Sequence, residues 1–474
     1  MPDSRIVVRG GQIVSMDPEV GVLPRGDVLI EDGRIAAVGP SLPAIDAEEI
    51  DARGHIVAPG LVDTHRHTWQ TQMRAICADW TLLDYFFGIR LSVSPAYTAD
   101  DVYLGNRLGA LEALNAGVTT ILDFSHCNNT PEHSDAAVKG LRDSGIRGVF
   151  AYGFFDSSPL APQHFTEHDQ RRADFERVAA THFRSADDLL TLGVALTEVG
   201  LIPLRHTRAE IETARAHDAL VVCHTGSVWS MPTGVAELDA AGLLGPEQIH
   251  VHCNALSDTE WDVLARAKAK LSISPETELN MGMGRLVFRA AEQRGIKPTL
   301  SADVMSLNSG DLFHQLRMAL AFKRWADSED VNLAGGDPQQ VSTTVSQALE
   351  WVTVNPAEAM RLHERVGSIT VGKRADLILV GGPGISQHPH LDPVGTLVFQ
   401  TGPGDVRTVL VDGKVVKRDG VLQGVDLAEL TARAEASAQA VLQRIRDRGA
   451  QLPGTDPAML ELLLALSTAN LADA

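Results

Sequence analysis

The stretch Pro59-Gly60-Leu61-Val62-Asp63-Thr64-His65-Arg66-His67 decides how this chain is read. Its apolar start reads as a short strand, and a strand sends residues i and i+2 to one face. His65 and His67 can therefore reach one metal ion from the same side. Two further H-x-H triplets, His250/His252 and His388/His390, compete with this one, so context has to separate them. His388 and His390 flank Pro389 in a Gly- and Pro-rich stretch, which disfavours a metal site there. His250 is expected on the face of His252 but deeper, in a structural role.

Working outward, residues 59–362 alternate short apolar runs with helical patterns. Strands are expected at 61–67, 118–124, 148–153, 190–196, 220–224, 248–252, 271–275 and 299–303. Helical stretches such as 100–115, 134–144, 206–217 and 285–294 lie between them. Eight strands alternating with helices over roughly 300 residues predict an α/β fold, a (β/α)8 TIM barrel. A doubly wound sheet is disfavoured because no G-x-G-x-x-G follows the first strand. Short β-like runs broken by Gly and Asp-Gly turns fill residues 1–58 and return over 363–425. They predict one small β-sandwich domain built from both chain ends. Residues 426–474 read as a helical extension, broken at Leu452-Pro453-Gly454. The apolar stretch Met459-Leu460-Glu461-Leu462-Leu463-Leu464 is expected to cover either a neighbouring subunit or its own barrel.

Composition bounds the partners. With 474 residues, 44% hydrophobic and 22% charged, the chain has the make-up of a globular protein with a large core. A formal charge of −20 speaks against nucleic acid and anionic membranes as partners. Cys77, Cys127, Cys223 and Cys253 show no disulfide framework, which predicts a reduced, cytoplasmic protein. Met1-Pro2-Asp3-Ser4-Arg5 shows no signal-peptide run, and no 18-residue apolar span appears.

Barrel chemistry sits where the strands end. His65 and His67 close the first strand, His224 the fifth, His252 the sixth and Asp303 the eighth. Three histidines and a carboxylate at one rim form a nitrogen/oxygen set suited to zinc, or to iron or manganese. Asp123-Phe124-Ser125-His126 brings His126 to the same rim, as a substrate contact or as a hydrogen-bonded core histidine. Trp69, Gln70, Trp80 and Tyr85, in the loop after the first strand, are candidates for stacking and hydrogen bonding to substrate. Trp80 and Tyr85 could equally pack a helical insertion.

With these residues in place the chain resembles the amidohydrolase superfamily, in the branch of the cytosine, guanine and adenosine-type deaminases and the triazine hydrolases. The matching pieces include Asp32-Gly33-Arg34-Ile35, Ala58 through His67, Ala116-Gly117-Val118-Thr119-Thr120, Ser301-Ala302-Asp303, Asn308-Ser309-Gly310-Asp311, Asn355-Pro356-Ala357 and Gly367 through Leu377. The resemblance implies His65, His67, His224 and Asp303 as ligands of one divalent metal ion, zinc before iron or manganese, with His252 beside the attacking water. Asp303 and His252 then act as catalytic residues. No lysine lies near the end of the fourth strand, which favours one metal over two. Glu198, just beyond that strand, is a loop carboxylate or a substrate contact.

One departure stands out. Deaminases of this branch carry a proton-shuttling glutamate three residues beyond the fifth-strand histidine, and this chain has Ser227 there. Serine is no base near neutral pH. Glu276, in Ser274-Pro275-Glu276-Thr277-Glu278, is the expected replacement. The implied reaction is hydrolysis of a non-peptide C–N bond, by deamination of an amino-heterocycle or opening of a cyclic amide. A metal-dependent lyase or other ring-opening enzyme is the alternative. The expected partner is a small nitrogen heterocycle, and the expected assembly a homo-oligomer, dimer or tetramer.

Overall fold

The computed structural model describes residues 5–43, 46–155, 164–185, 187–382, 385 and 387–472. Of the N-terminal reading, residues 1–4 lie outside the described residues. Eight parallel strands follow in chain order: Leu61–Arg66, Val118–Ser125, Arg147–Gly153, Leu190–Ala195, Leu220–Thr225, Gln248–His252, Lys270–Ile273 and Pro298–Leu300. Each pairs with its predecessor, and the first and eighth meet through a parallel bridge between Arg66 and Asp303. The Asp303 N–H donates to the His65 carbonyl (3.0 Å), and the His67 N–H donates to the Asp303 carbonyl (3.0 Å). This is the (β/α)8 barrel that the alternation predicts.

Val62, Leu122, Phe124, Val149, Ala151, Val222, Ile249 and Val251 form one buried cluster inside the barrel. Ala357, Ala359, Met360, Leu362 and Val366 join it from the segment after the last strand, so apolar side chains close one end. The polar rim lies at the other, carboxyl end of the strands, as in other barrels of this kind.

Two strands end earlier than expected. The seventh stops at Ile273 and a helix begins at Pro275; the eighth stops at Leu300, with Ser301 and Ala302 beyond it and Asp303 in the isolated bridge to Arg66. A proline at the first helical position explains the former, since its fixed φ favours helix entry and it offers no N–H to a sheet.

Strands from both ends of the chain share a second sheet. Arg5–Val14, Val22–Glu31, Arg34–Gly39, Glu48–Asp51 and His55–Pro59 join Leu377–Gly381, Val406–Val411, Lys414–Arg418 and Val421–Leu422. The join is antiparallel, with Leu377 opposite Pro59 and Gly381 opposite His55. This nine-stranded mixed sheet curls over a cluster of its own containing Ile6, Val28, Ile35, Val57, Leu377 and Leu410. The two tight turns meet where it curls: a Cβ on Gly33 would lie 2.6 Å from the Asp412 carbonyl oxygen. Only glycine fits that approach.

A buried ion network ties this sheet to the barrel. Arg147 on the third barrel strand donates to both carboxylate oxygens of Asp376 (2.8 and 3.0 Å) and to Asp412 (3.2 Å). After the sheet, the helix Leu427–Asp447 packs on the barrel helix Ala99–Asn115, where Ser437 donates to Asp101 (2.6 Å). The helix Pro457–Ala472 then crosses the rim. Among the described residues no helix is long and apolar enough to cross a membrane, and all four cysteines are free and buried.

Replacing Arg147 by Ala leaves the buried Asp376 carboxyl without its partner. We expect a loss of about 3–5 kcal/mol, read as a lower denaturant midpoint. An unchanged midpoint would show that the network contributes nothing to stability.

Candidate active site

Four imidazoles and one carboxylate converge where the first strand meets the eighth. His65 Nε2 lies 3.0 Å from Asp303 Oδ1, and His67 Nε2 lies 3.4 Å from the same oxygen. His224 Nε2 approaches His65 Nε2 to 3.3 Å, and His252 Nε2 stands 3.9 Å from Asp303 Oδ2. Ligand atoms of His65, His67 and Asp303, and separately those of His65, His224 and His252, lie within 4.8 Å of one another. All five residues are buried, or nearly so for His224.

His252 reaches this centre by a break in strand geometry. In the register of strands five and six, His224 pairs with Val251 and Thr225 with His252. Strict alternation would turn His252 away from His224, onto the face of Cys223, Thr225 and His250. Left-handed backbone at His252 (φ 75°) and Cys253 (φ 61°) turns the ring back, and it stacks on His224 at 5.7 Å. The expectation that His250 shares the face of His252 is therefore corrected. His250 packs between the strands, with Nδ1 2.9 Å from the Thr225 hydroxyl, and burial lowers its pKa to about 4. Asp303 is also left-handed (φ 58°). Such strain in residues other than glycine costs on the order of 1–3 kcal/mol each and clusters at functional sites.

In two of the rings, His67 and His224, the outward nitrogen fixes the tautomer. His67 Nδ1 lies 3.2 Å from the Phe124 carbonyl oxygen, which only accepts, so the proton sits on Nδ1. Burial, with the neighbouring histidines, holds the His67 pKa well below its usual value, so the ring is neutral. Its Nε2 lone pair then faces the Asp303 carboxylate directly. His224 repeats the pattern, with Nδ1 3.0 Å from Glu198 Oε1 and a pKa lowered to about 4, chiefly by burial. Its Nε2 lone pair faces His65. Burial opposes ionisation of Asp303, yet the surrounding histidines hold its carboxyl well below the usual range, and Oδ2 is buried without a hydrogen-bond partner.

The Nε2 lone pairs of His67 and His224 and the Asp303 carboxylate are thus turned toward one place, where a cation would satisfy all of them. Zinc bonds of about 2.0–2.2 Å to nitrogen and oxygen put neighbouring ligand atoms roughly 3–3.5 Å apart. The contacts of 3.3 and 3.4 Å match that spacing. The donor set therefore fits a divalent metal held by His65, His67, His224 and Asp303.

Two carboxylates support the rings from behind. Glu198 accepts from His224 and from Arg90 (Nη1 at 2.6 Å, Nη2 at 3.4 Å). Burial opposes its ionisation, but the Arg90 charge and the His224 hydrogen bond hold the carboxyl well below its usual range. Arg90 is buried, with its guanidinium 3.8 Å from the centre of the Phe155 ring. Glu278 is fully buried; its carboxylate lies 3.2 Å from His252 Nδ1 and accepts from Asn254 (3.0 Å) and the Ser274 N–H (2.8 Å). Burial lowers the His252 pKa, but the hydrogen bond to Glu278 and the charges of Asp303 and Glu278 outweigh it and leave the value raised.

The structure brings His65, His67, His224, His252, Asp303 and Glu198 together. It places Glu276 elsewhere: the carboxylate accepts from Gln315 (2.9 Å) and faces His314 (3.8 Å) on the neighbouring helix. Reading the segment as strand put Glu276 toward the rim. The helix that begins at Pro275 rotates residues 276 and 278 to opposite sides, and Glu278 faces in. Gln70 is buried between Tyr85 and Ser306 (2.8 and 2.9 Å), and Trp69 donates to His126 Nδ1 (2.9 Å). His126 stacks on His67 at 4.2 Å, and Trp80 packs so closely that a Cβ on Gly88 would lie 2.4 Å from its ring. These four support the site from behind and do not line the cavity above it, whereas Tyr85, Arg90, Glu198 and Ser227 do. Arg90 carries no sequence motif and only its contacts reveal it, whereas Glu278 is the second glutamate of the Ser274–Glu278 segment, and its contacts single it out over Glu276.

The profile of the amidohydrolase family matches residues 56–416. The chain belongs to the amidohydrolase family. This amidohydrolase is 29% identical over 465 residues to a 5-methylthioadenosine/S-adenosylhomocysteine deaminase of Symbiobacterium thermophilum, covering 92% of this chain and 99% of that protein. It is 26% identical over 464 residues to a 5'-deoxyadenosine deaminase of Methanosarcina mazei, covering 93% and 99%. Its fold is that of a Xanthomonas campestris adenosine deaminase with bound zinc (TM-score 0.81, 22% identity, 93% and 99% covered). It also matches an Arthrobacter aurescens atrazine chlorohydrolase complexed with zinc (TM-score 0.78, 21% identity, 91% and 100% covered). The amidohydrolase is a hydrolase of non-peptide carbon–nitrogen bonds.

Two substitutions test the support behind the rings. Glu198→Ala removes the acceptor that fixes the His224 tautomer, and metal affinity is expected to fall about 10–100-fold in equilibrium dialysis. Glu278→Ala is expected to lower kcat by at least about 100-fold, while Glu276→Ala stays within a few-fold of wild type. Equal effects at 276 and 278 would contradict this placement.

Proposed function

We propose that the enzyme deaminates a small amino-substituted nitrogen heterocycle by hydrolysis, with one zinc ion held by His65, His67, His224 and Asp303. The observation that carries this reading is the convergence of imidazole lone pairs on the ionised Asp303 at the barrel seam. The named deaminases, similar over nearly the full chain, support the amino-heterocycle, and the zinc in two solved relatives supports the metal. A divalent ion in this set supplies acidity to a water molecule, lowering its pKa toward about 7.

The chain's own residues do the rest. Asp303 Oδ2 accepts the proton of the attacking water. His252, fixed by Glu278 through Nδ1, turns Nε2 toward the same place and there steadies the carbon under attack or its ring nitrogen. Oxygen adds to the trigonal carbon as a hydroxyl while His252 gives a proton to the ring nitrogen; the proton held by Asp303 then passes to the exocyclic nitrogen, ammonia leaves, and His252 takes up the hydroxyl proton as the ring carbonyl forms. Ser227 lines the cavity but is no base near neutral pH, so Asp303 and His252, the latter backed by Glu278, divide the proton transfers that a glutamate carries in deaminases of this branch. Four reduced cysteines accord with a cytoplasmic enzyme.

Asp303→Asn is expected to lower ammonia release from aminopurines by at least about 100-fold. Chelation abolishes it and added zinc restores it. Turnover in ¹⁸O-labelled water is expected to place the label in the new carbonyl; a product without it would indicate lyase chemistry instead.

A further inference from the structure

The cavity has two chemically different ends. Its floor is the polar cluster, and its outer wall carries Leu82, Phe86, Leu201 and Met231 from rim loops, completed by Leu460 and Leu463 of the helix Pro457–Ala472. That helix is anchored at both ends of its crossing. Thr455 just before it hydrogen-bonds Asp84 in the loop after the first strand. Near its far end Asn470 donates to the Gly200 carbonyl after the fourth strand (2.9 Å). Ser467 and Leu471 are buried there, and a Cβ on Gly200 would meet Ser467 at 3.3 Å.

Leu460, Leu463, Ser467 and Leu471 follow helical spacing on one face. The two anchoring residues lie against the rim, and the two leucines stand over the cavity between the anchors. Neither leucine can offer a hydrogen bond to a substrate. Of the charged groups that line the cavity, Asp303 belongs to the polar floor, and Arg90 and Glu198 are already paired with each other. What reaches the outer end therefore gains from burying apolar surface there and would lose by burying a hydroxyl or a charge.

We propose that the helix Pro457–Ala472 sets substrate specificity, selecting amino-heterocycles that carry an apolar substituent lying against Leu460 and Leu463. The proposal rests on the deaminase reading for the heterocycle and on the helix alone for the substituent.

The test uses zinc-loaded full-length enzyme and 9-alkylhypoxanthines from methyl to butyl, which have no amino group to release. Calorimetric affinity is expected to rise about fourfold per methylene. In Leu460→Ala/Leu463→Ala the gain falls below about twofold per methylene, whereas Leu463→Met retains the wild-type gain. Both leucines are only half-buried, so the double variant keeps the core. Affinity independent of chain length, an undiminished gain in the double variant, or no binding by any member would overturn the proposal. No ammonia from any 9-alkyladenine, alongside the expected chain-length gain, would overturn the deaminase reading and leave the apolar wall standing.

Discussion

The structure depends on one seam. Where the first barrel strand meets the eighth, the His65 carbonyl accepts from the Asp303 N–H and the Asp303 carbonyl accepts from the His67 N–H. The same three residues turn their side chains into the metal set. Closing the barrel and assembling the site are thus one event. Burying the Asp303 carboxylate is unfavourable on its own. The fold tolerates it because the backbone bonds of the seam fix the residue among histidines that favour its ionised form.

Outside the metal set, each supporting acceptor is matched to the role of its ring. A backbone carbonyl behind His67 and an ionised glutamate behind His224 both hold the proton on Nδ1 and leave Nε2 free as a ligand. Glu278 behind His252 favours a more basic ring, as suits a residue that handles protons. The chain Arg90–Glu198–His224 runs from the cavity wall to a ring proposed to hold the metal. A change at Arg90 therefore acts both on the ligand's orientation and on the charge that a substrate meets.

Much of this was legible in the sequence. The alternation of apolar runs and helical patterns located all eight strands, because a buried parallel strand must be apolar almost throughout. Polar residues closing such strands mark the rim, which is how His65, His67, His224, His252 and Asp303 stood out. The H-x-H spacing also predicted that His65 and His67 share a face. For His252 the same rule points the wrong way, because left-handed backbone at residues 252 and 253 overrides alternation. Glu276 was chosen over Glu278 for a related reason: the Pro275 helix start changes the period from two to 3.6 within three residues.

By itself, then, the sequence determined the barrel, its order, the composite sheet and the residue types at the rim. These follow from local periodicity and from hydrogen bonding that each strand must satisfy. The tertiary structure alone decided which side chains stand behind the histidines, which aromatic residues are packing rather than lining, and where the last helix lies. Those outcomes depend on contacts between residues far apart in the chain, such as Arg90 with Glu198 or Asn470 with Gly200. Local pattern carries no record of such partners, because each pairing is selected only when the closed barrel brings its loops to a common rim.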